Sequence, residues 1–171
     1  MKLLLLYFTF VSLLFASFEN INSFEADFIQ TITDDKNKIL NYEGKVIASK
    51  PSSAVWNYSK PITKNVYINS NSITIVEPEI EQVIIKDIAS SFDFFHMLQN
   101  AKKITDNSYI TEFNGKKFSL IVRDKLLYSI SYIDEFENLV KIIFSNQKYN
   151  QKIDEQRYVP LFSLDFDIVR D

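Results

Sequence analysis

The sequence has no cysteine, one histidine and two glycines among 171 residues, and each shortage excludes a class of chemistry. Without cysteine there is no disulfide, no thiolate nucleophile, no iron–sulfur cluster and no thiolate zinc site. The lone His96 cannot supply the two or three histidines of most catalytic zinc centres, and any Ser-His-acid triad would have to converge on it. Gly44 and Gly115 stand 71 positions apart, so neither a G-x-G-x-x-G turn nor a G-x-x-x-x-G-K-S/T phosphate cradle exists. With 19 basic and 22 acidic side chains the formal charge is −3, which does not suit a nucleic-acid binder. No Pro-, Gly- or Ser-rich stretch and no 20–50 residue repeat divides the chain, so a single domain is expected. Aromatic residues, in contrast, are plentiful: 15 Phe, 9 Tyr and 1 Trp.

The N-terminus reads as a targeting segment. Met1 and Lys2 precede an apolar run from Leu3 to Phe15, followed by the small pair Ala16-Ser17, the order of a basic region, an apolar core and a cleavage site. The run falls short of the roughly 20 residues that span a bilayer; an uncleaved N-terminal anchor is the competing reading. A signal peptide over residues 1–17 and a domain over 18–171 are expected, with the product soluble outside the cytoplasm. A bacterial lipoprotein signal requires a cysteine at the cleavage point, so the protein is not expected to carry a lipid anchor of its own. Tyr7, Phe8, Phe10 and Phe15 leave with the signal.

Beyond it, period-two alternation dominates, the mark of strands with one apolar face. Phe24, Ala26, Phe28, Gln30 and Ile32 share one parity, and Leu40, Tyr42, Gly44, Val46, Ala48 and Lys50 share another. Similar runs follow at Ala54/Trp56/Tyr58, Val66/Ile68, Ile73/Ile75, Val83/Ile85, Phe118/Leu120/Val122, Leu126/Tyr128/Ile130/Tyr132 and Val140/Ile142/Phe144. Turn signals at Asp34-Asp35, Pro61, Asn69 to Asn71, Pro78, Asn114-Gly115 and Asp134-Glu135 separate them, which predicts a long antiparallel meander. The exception is Asp87 to Lys103, where Ile88, Phe92, Phe95, Leu98 and Lys102 recur near the helical period behind a capping Asp87, with Phe94 and Met97 widening the stripe. A short helix before Phe24 and a loop from Asp154 to Pro160 complete the reading. The expected fold is mainly β: one large, gently curved antiparallel sheet, left open because closed barrels need glycine at their bends, with a little helix laid over it.

Four motifs then accumulate in order. Phe24-Glu25-Ala26-Asp27-Phe28-Ile29-Gln30 is similar to an F-x-A-x-F-x-Q opening; Gly44 with Val46, Ala48 and Lys50-Pro51 to a G-x-L-x-L-x-R-P strand; Trp56-Asn57-Tyr58-Ser59-Lys60-Pro61 to W-x-Y-x-x-P; and Pro78 to Val83 to P-x-x-x-Q-V. Together they resemble the periplasmic outer-membrane lipoprotein carrier family of LolA type. Lys50 replaces that family's arginine, and Asn69-Ser70 and Thr74 stand where its Asp-Gly turn and following tryptophan would be.

The resemblance implies a half-barrel whose apolar concave face lies under a helical lid. It also implies a periplasmic carrier that takes lipoproteins released from the inner membrane by an ATP-driven transporter and delivers them to an outer-membrane acceptor or the membrane itself. At about 0.8 kcal/mol per buried methylene, a chain of about 16 carbons is held in a bilayer by on the order of 12 kcal/mol, so transfer without a carrier is too slow. Phe28, Val46, Trp56, Tyr58, Val66, Ile68, Phe92, Phe95, Leu98, Phe118 and Leu120 are the expected walls of an acyl-chain cavity. The same aromatics also suit an ordinary packed core. Lys50, by resemblance to the family arginine, is expected to reach the lid's backbone carbonyls and hold it closed; snorkelling at a strand end is the alternative. No enzyme activity is expected, because parity puts almost no carboxylate on the apolar face to act as a general base, and no cofactor, metal or nucleic acid is expected. A lone monomeric chain is expected to suffice. A lipid-sensing regulator of the same fold is the rival function. Glu77, Glu79 and Glu81 read as a solvated edge, His96 as a helix-surface residue, and Lys102-Lys103 and Lys116-Lys117 as solubilising pairs.

Overall fold

The computed structural model describes residues 18–88 and 93–170, the Glu19 side chain apart; the expected signal segment, residues 1–17, and Phe92 lie outside the described residues. β1 (Ser23–Thr33) and β2 (Ile39–Ser49) form the longest hairpin, followed by β3 (Ser53–Lys60), β4 (Lys64–Ile68), β5 (Ser72–Glu77) and β6 (Gln82–Asp87). After α1 (Phe94–Gln99) come β7 (Lys102–Lys103), β8 (Ser108–Phe113), β9 (Lys116–Arg123), β10 (Leu126–Ile133), β11 (Leu139–Tyr149) and β12 (Asp167–Arg170). Together they make one 12-stranded sheet of order β12-β6-β5-β4-β3-β2-β1-β11-β10-β9-β8-β7. Its two end strands do not pair with each other, so the sheet is open, as the scarcity of glycine suggested.

The connectivity is not one meander but two. β1 to β6 form the first and β7 to β11 the second, and they join where β1 pairs antiparallel with β11, Gln30 opposite Ile142. β12 then adds in parallel to the outer edge of β6. The short β8, β7 and β12 carry too few alternating apolar residues to stand out in the sequence. β1 shows the expected parity: Phe24, Ala26, Phe28 and Gln30 are buried, while Glu25, Asp27 and Ile29 are not.

The long helix over Asp87–Lys103 is corrected. Asp87 is the last residue of β6, held there by pairing with Ser72, and the helix starts at Phe94. Asp93 caps it instead, its carboxylate accepting the His96 N–H at 2.9 Å. Asn100 ends it by donating its side-chain amide to the His96 carbonyl at 2.8 Å, and Lys102 and Lys103 are drawn off to pair with Ile110 and Tyr109. The helical spacing of Ile88 and Lys102 with the residues between is therefore coincidental at both ends.

Two cores sandwich the sheet. The larger lies on the concave face, where Phe24, Phe28, Phe144 and Leu120 meet Phe94, Phe95, Met97 and Leu98 of α1. The second, on the convex face, gathers Ile47, Val55, Tyr67, Val76 and Val83 under Ile153, Tyr158, Phe162 and Phe166. The segment expected as a loop from Asp154 to Pro160 contains a 3-10 turn, Glu155–Tyr158, and carries part of this cover. Arg157 donates to Glu25 on β1 at 3.1 Å, beside Lys148 at 3.4 Å. The Arg157 hydrogen bond, against a smaller opposing effect of burial, holds the Glu25 carboxyl below its ordinary 4.5. The pair is largely exposed, so it aligns the segment more than it stabilises it.

Candidate functional site

The concave face does not fill completely. A cavity of about 400 Å³ remains, within the range of roughly 300–1,000 Å³ typical of small-ligand pockets. Trp56 and Tyr58 of β3 and Val66 and Ile68 of β4 form one wall; Gln30, Ile142 and Ile130 form the floor. Phe113, Phe118 and Tyr132 form the opposite wall, with Asn114 and Lys116 at its rim, and Ile73, Ile88 and Phe94 close the top.

Aromatic contacts hold these walls apart without collapsing them. Phe28 stands edge-on to both Trp56 and Tyr58, with centroids 5.0 and 5.1 Å away, and the Phe118 and Tyr132 rings lie 5.1 Å apart across the other side. Such pairs hold rings at fixed angles and so preserve the space between them. Phe94 reaches down from α1 to Phe24, 5.5 Å between centroids.

Few polar groups enter. The Tyr58 hydroxyl donates to Gln30 Oε1 at 2.9 Å, and the Lys64 ammonium lies over the Tyr58 ring, 4.6 Å from its centroid. Burial pushes the Tyr58 hydroxyl far above its ordinary 10.0, and burial also raises Tyr132, aided by Asp134 and Glu135. Both phenols therefore stay protonated at any physiological pH. Lys116 is tied to Glu135 at 3.1 Å. Among the described residues no three His, Cys, Asp or Glu side chains cluster as metal ligands would.

The sequence-predicted wall residues divide. Trp56, Tyr58, Val66, Ile68 and Phe118 line the cavity. Phe28, Val46, Phe95, Leu98 and Leu120 lie instead in the packed core, because neither strand parity nor helical period says whether a residue on the apolar side is packed over or left facing open space. Phe92 lies outside the described residues. Sequence reasoning missed Gln30, Ile130, Tyr132, Ile142 and Phe94 as wall residues, although each fell on an apolar parity or stripe. The lost information is register: Gln30 meets Ile142, and Ile142 meets Ile130, only through strand pairings between segments far apart in the chain.

Lys50 follows the end of β2 and sits beside α1, in an open surface recess formed with Pro51, Asp93, Phe95, His96 and Gln99. Its ammonium lies 6.0 Å from the Phe95 ring centroid, and His96 is exposed on the helix surface. Of the glutamates read as a solvated edge, Glu79 accepts the Thr63 N–H at 3.0 Å.

The family model described as "Outer membrane lipoprotein carrier protein LolA" matches residues 19–117. The outer-membrane lipoprotein carrier protein of Wolinella succinogenes is 32% identical over 171 residues, 99% of each chain. That of Campylobacter jejuni is 36% identical over 169 residues, again 99% of each, and that of Helicobacter pylori strain J99 is 35% identical over 141, covering 82% of this chain and 76% of its own. Among solved structures, an uncharacterized conserved protein from Thermus thermophilus has a similar fold, with a TM-score of 0.54 at 11% identity over 90% of this chain and 93% of that one. A DUF1329 family protein from Desulfovibrio piger follows, with a TM-score of 0.51 at 10% identity over 83% and 91%. These two likenesses concern the fold alone.

Proposed function

We propose that this chain, which belongs to the outer membrane lipoprotein carrier (LolA) family, is a periplasmic carrier that shelters the acyl chains of lipoproteins on their way from the inner to the outer membrane. The observation that carries the reading is the apolar cavity on the concave face, roofed by Phe94 of α1. Such a cavity replaces a bilayer for hydrocarbon, and its large rigid rings leave space that branched aliphatics would close. An anchor of several chains of about 16 carbons is larger than this half-open cavity of about 400 Å³, so loading requires the cavity to widen. The chain carries no phosphate loop. The energy for loading therefore comes from a partner, an ATP-driven transporter in the inner membrane, and unloading is to an acceptor at the outer membrane or to the membrane itself. A synthetic acylated cysteinyl lipopeptide is the probe: it binds the purified protein on this reading, and its unacylated counterpart does not.

Lys50 is the latch in this scheme. Its place beside Asp93, Phe95 and Gln99 supports a role in holding α1 down over the empty cavity, which favours release by stabilising the emptied state. A lysine offers a point charge where an arginine offers a planar fork, so the latch is weaker than an arginine would make it. Lys50→Leu is expected to slow lipopeptide release by about 3–10-fold, the worth of a partly exposed charged hydrogen bond, measured by stopped-flow displacement. An unaltered release rate would leave Lys50 as a snorkelling strand-end residue.

A further inference from the structure

The polar groups of the cavity are not scattered. Phe24, under α1, and Gln30 lie six residues apart on β1, about 20 Å at the rise of a strand. Gln30, Tyr58 and Tyr132 therefore gather toward the hairpin-turn end of the sheet, away from the helix. Gln30 is only 9% exposed, yet it lines the cavity. Its one side-chain hydrogen bond among the described residues is accepted by Oε1 from Tyr58, so its amide N–H groups are left to face the cavity. Tyr58 is held for this task between the edge of Phe28 and the Lys64 ammonium, which fixes the amide by occupying its oxygen. Tyr132 also lines the cavity, and its hydroxyl makes no hydrogen bond among the described residues. An amide N–H and a phenol O–H that line an apolar wall with no acceptor from the protein are free to donate to a ligand there, in place of water.

We propose that Gln30 and Tyr132 form a subsite that donates hydrogen bonds to acyl ester carbonyls, and so fixes which way round a lipid lies in the cavity. The hydrocarbon tails then run toward Phe94 and α1, and the glyceryl end with whatever it carries leaves past the hairpin turns. Both donors stay neutral in this role, which suits a carbonyl better than a phosphate. This inference rests on the carrier reading above and adds the ester as the group recognised. Lipoprotein anchors and phospholipids share that group.

The test compares a dipalmitoylglyceryl-cysteinyl peptide with its dialkyl ether analogue, identical but for the carbonyls, binding to the purified protein. The ester is expected to bind about 5–10-fold more tightly. Gln30→Leu and Tyr132→Phe should each weaken the ester by about 3–10-fold and leave the ether within twofold, the scale of one hydrogen bond. Tyr132→Phe removes a single oxygen and keeps the inference testable where Gln30→Leu, by orphaning the Tyr58 hydroxyl, disturbs the fold. Equal affinities, or variants that weaken both probes alike, overturn the subsite while leaving the carrier reading intact. Binding of neither probe removes the carrier reading itself and the subsite with it. A soluble short-chain diacyl phospholipid separates the sources: Tyr132-dependent binding supports the ester as the group read in either lipid, whereas binding of the lipopeptide alone assigns the subsite to lipoproteins.

Discussion

Gly44→Val is expected to lower the unfolding free energy by about 2–3 kcal/mol, the upper part of the range for overpacking a filled site. Gly44 stands directly opposite Phe28 on β1 and Tyr58 on β3, where the Phe28 ring folds across the strand. A Cβ placed there would meet the Asn57 carbonyl oxygen and come within 2.8 Å of the tip of the Phe28 ring. The ring cannot withdraw, because it is wedged against Trp56 and Tyr58, and the carbonyl belongs to the sheet backbone. The pairing of β2 with β3 is already irregular between Glu43 and Gly44, so the added methyls fall where the ladder has least slack. Urea unfolding followed by Trp56 fluorescence reads the effect. A midpoint equal to the parent's would mean that Phe28 does not lie over Gly44 and that the inner wall is built differently. The second glycine makes a contrast: Gly115 turns at φ 75° with open space around its α-carbon, so its requirement is conformational and local.

Ile68→Trp is expected to abolish measurable lipopeptide binding, a loss of at least about tenfold, while shifting the melting temperature by only a few degrees. Ile68 is half-buried on β4 and faces the cavity, so an indole has room to enter without pushing on backbone. There it occupies the volume that hydrocarbon would fill, and the ligand loses burial at about 0.8 kcal/mol per methylene. Differential scanning fluorimetry and lipopeptide titration on the same sample separate the two effects. Undiminished binding by a folded variant would put the ligand somewhere other than this cavity.

Much of this was legible in the sequence, for a physical reason. A sheet with a dry concave face writes its parity directly into the chain, and Phe24, Phe28, Trp56, Tyr58 and Phe118 could be assigned to that face before any coordinates. The open edge followed from two glycines. What parity cannot convey is depth and register. Val46 and Leu120 share the apolar face with Trp56 but end in the packed core. Ile142 reaches Gln30 only because β1 and β11 pair across more than a hundred residues. The helix limits were misread because a plausible cap at Asp87 and a residue at helical spacing, Lys102, are both claimed by strand partners, Ser72 and Ile110. The convex core escaped for the same reason: Ile47, Val55 and Tyr67 sit on the parity read as wet, and only the returning C-terminal segment with Tyr158 and Phe162 makes it dry.

The central claim is that this chain receives acyl-anchored proteins as they are released from a membrane and keeps them in solution. Spheroplasts that retain their newly exported lipoproteins, incubated with the purified protein, test it most directly. The account predicts that lipoprotein enters the soluble fraction as a complex with the added chain, in proportion to the amount added. If no lipoprotein is released while an established carrier releases it from the same spheroplasts, the carrier reading is contradicted.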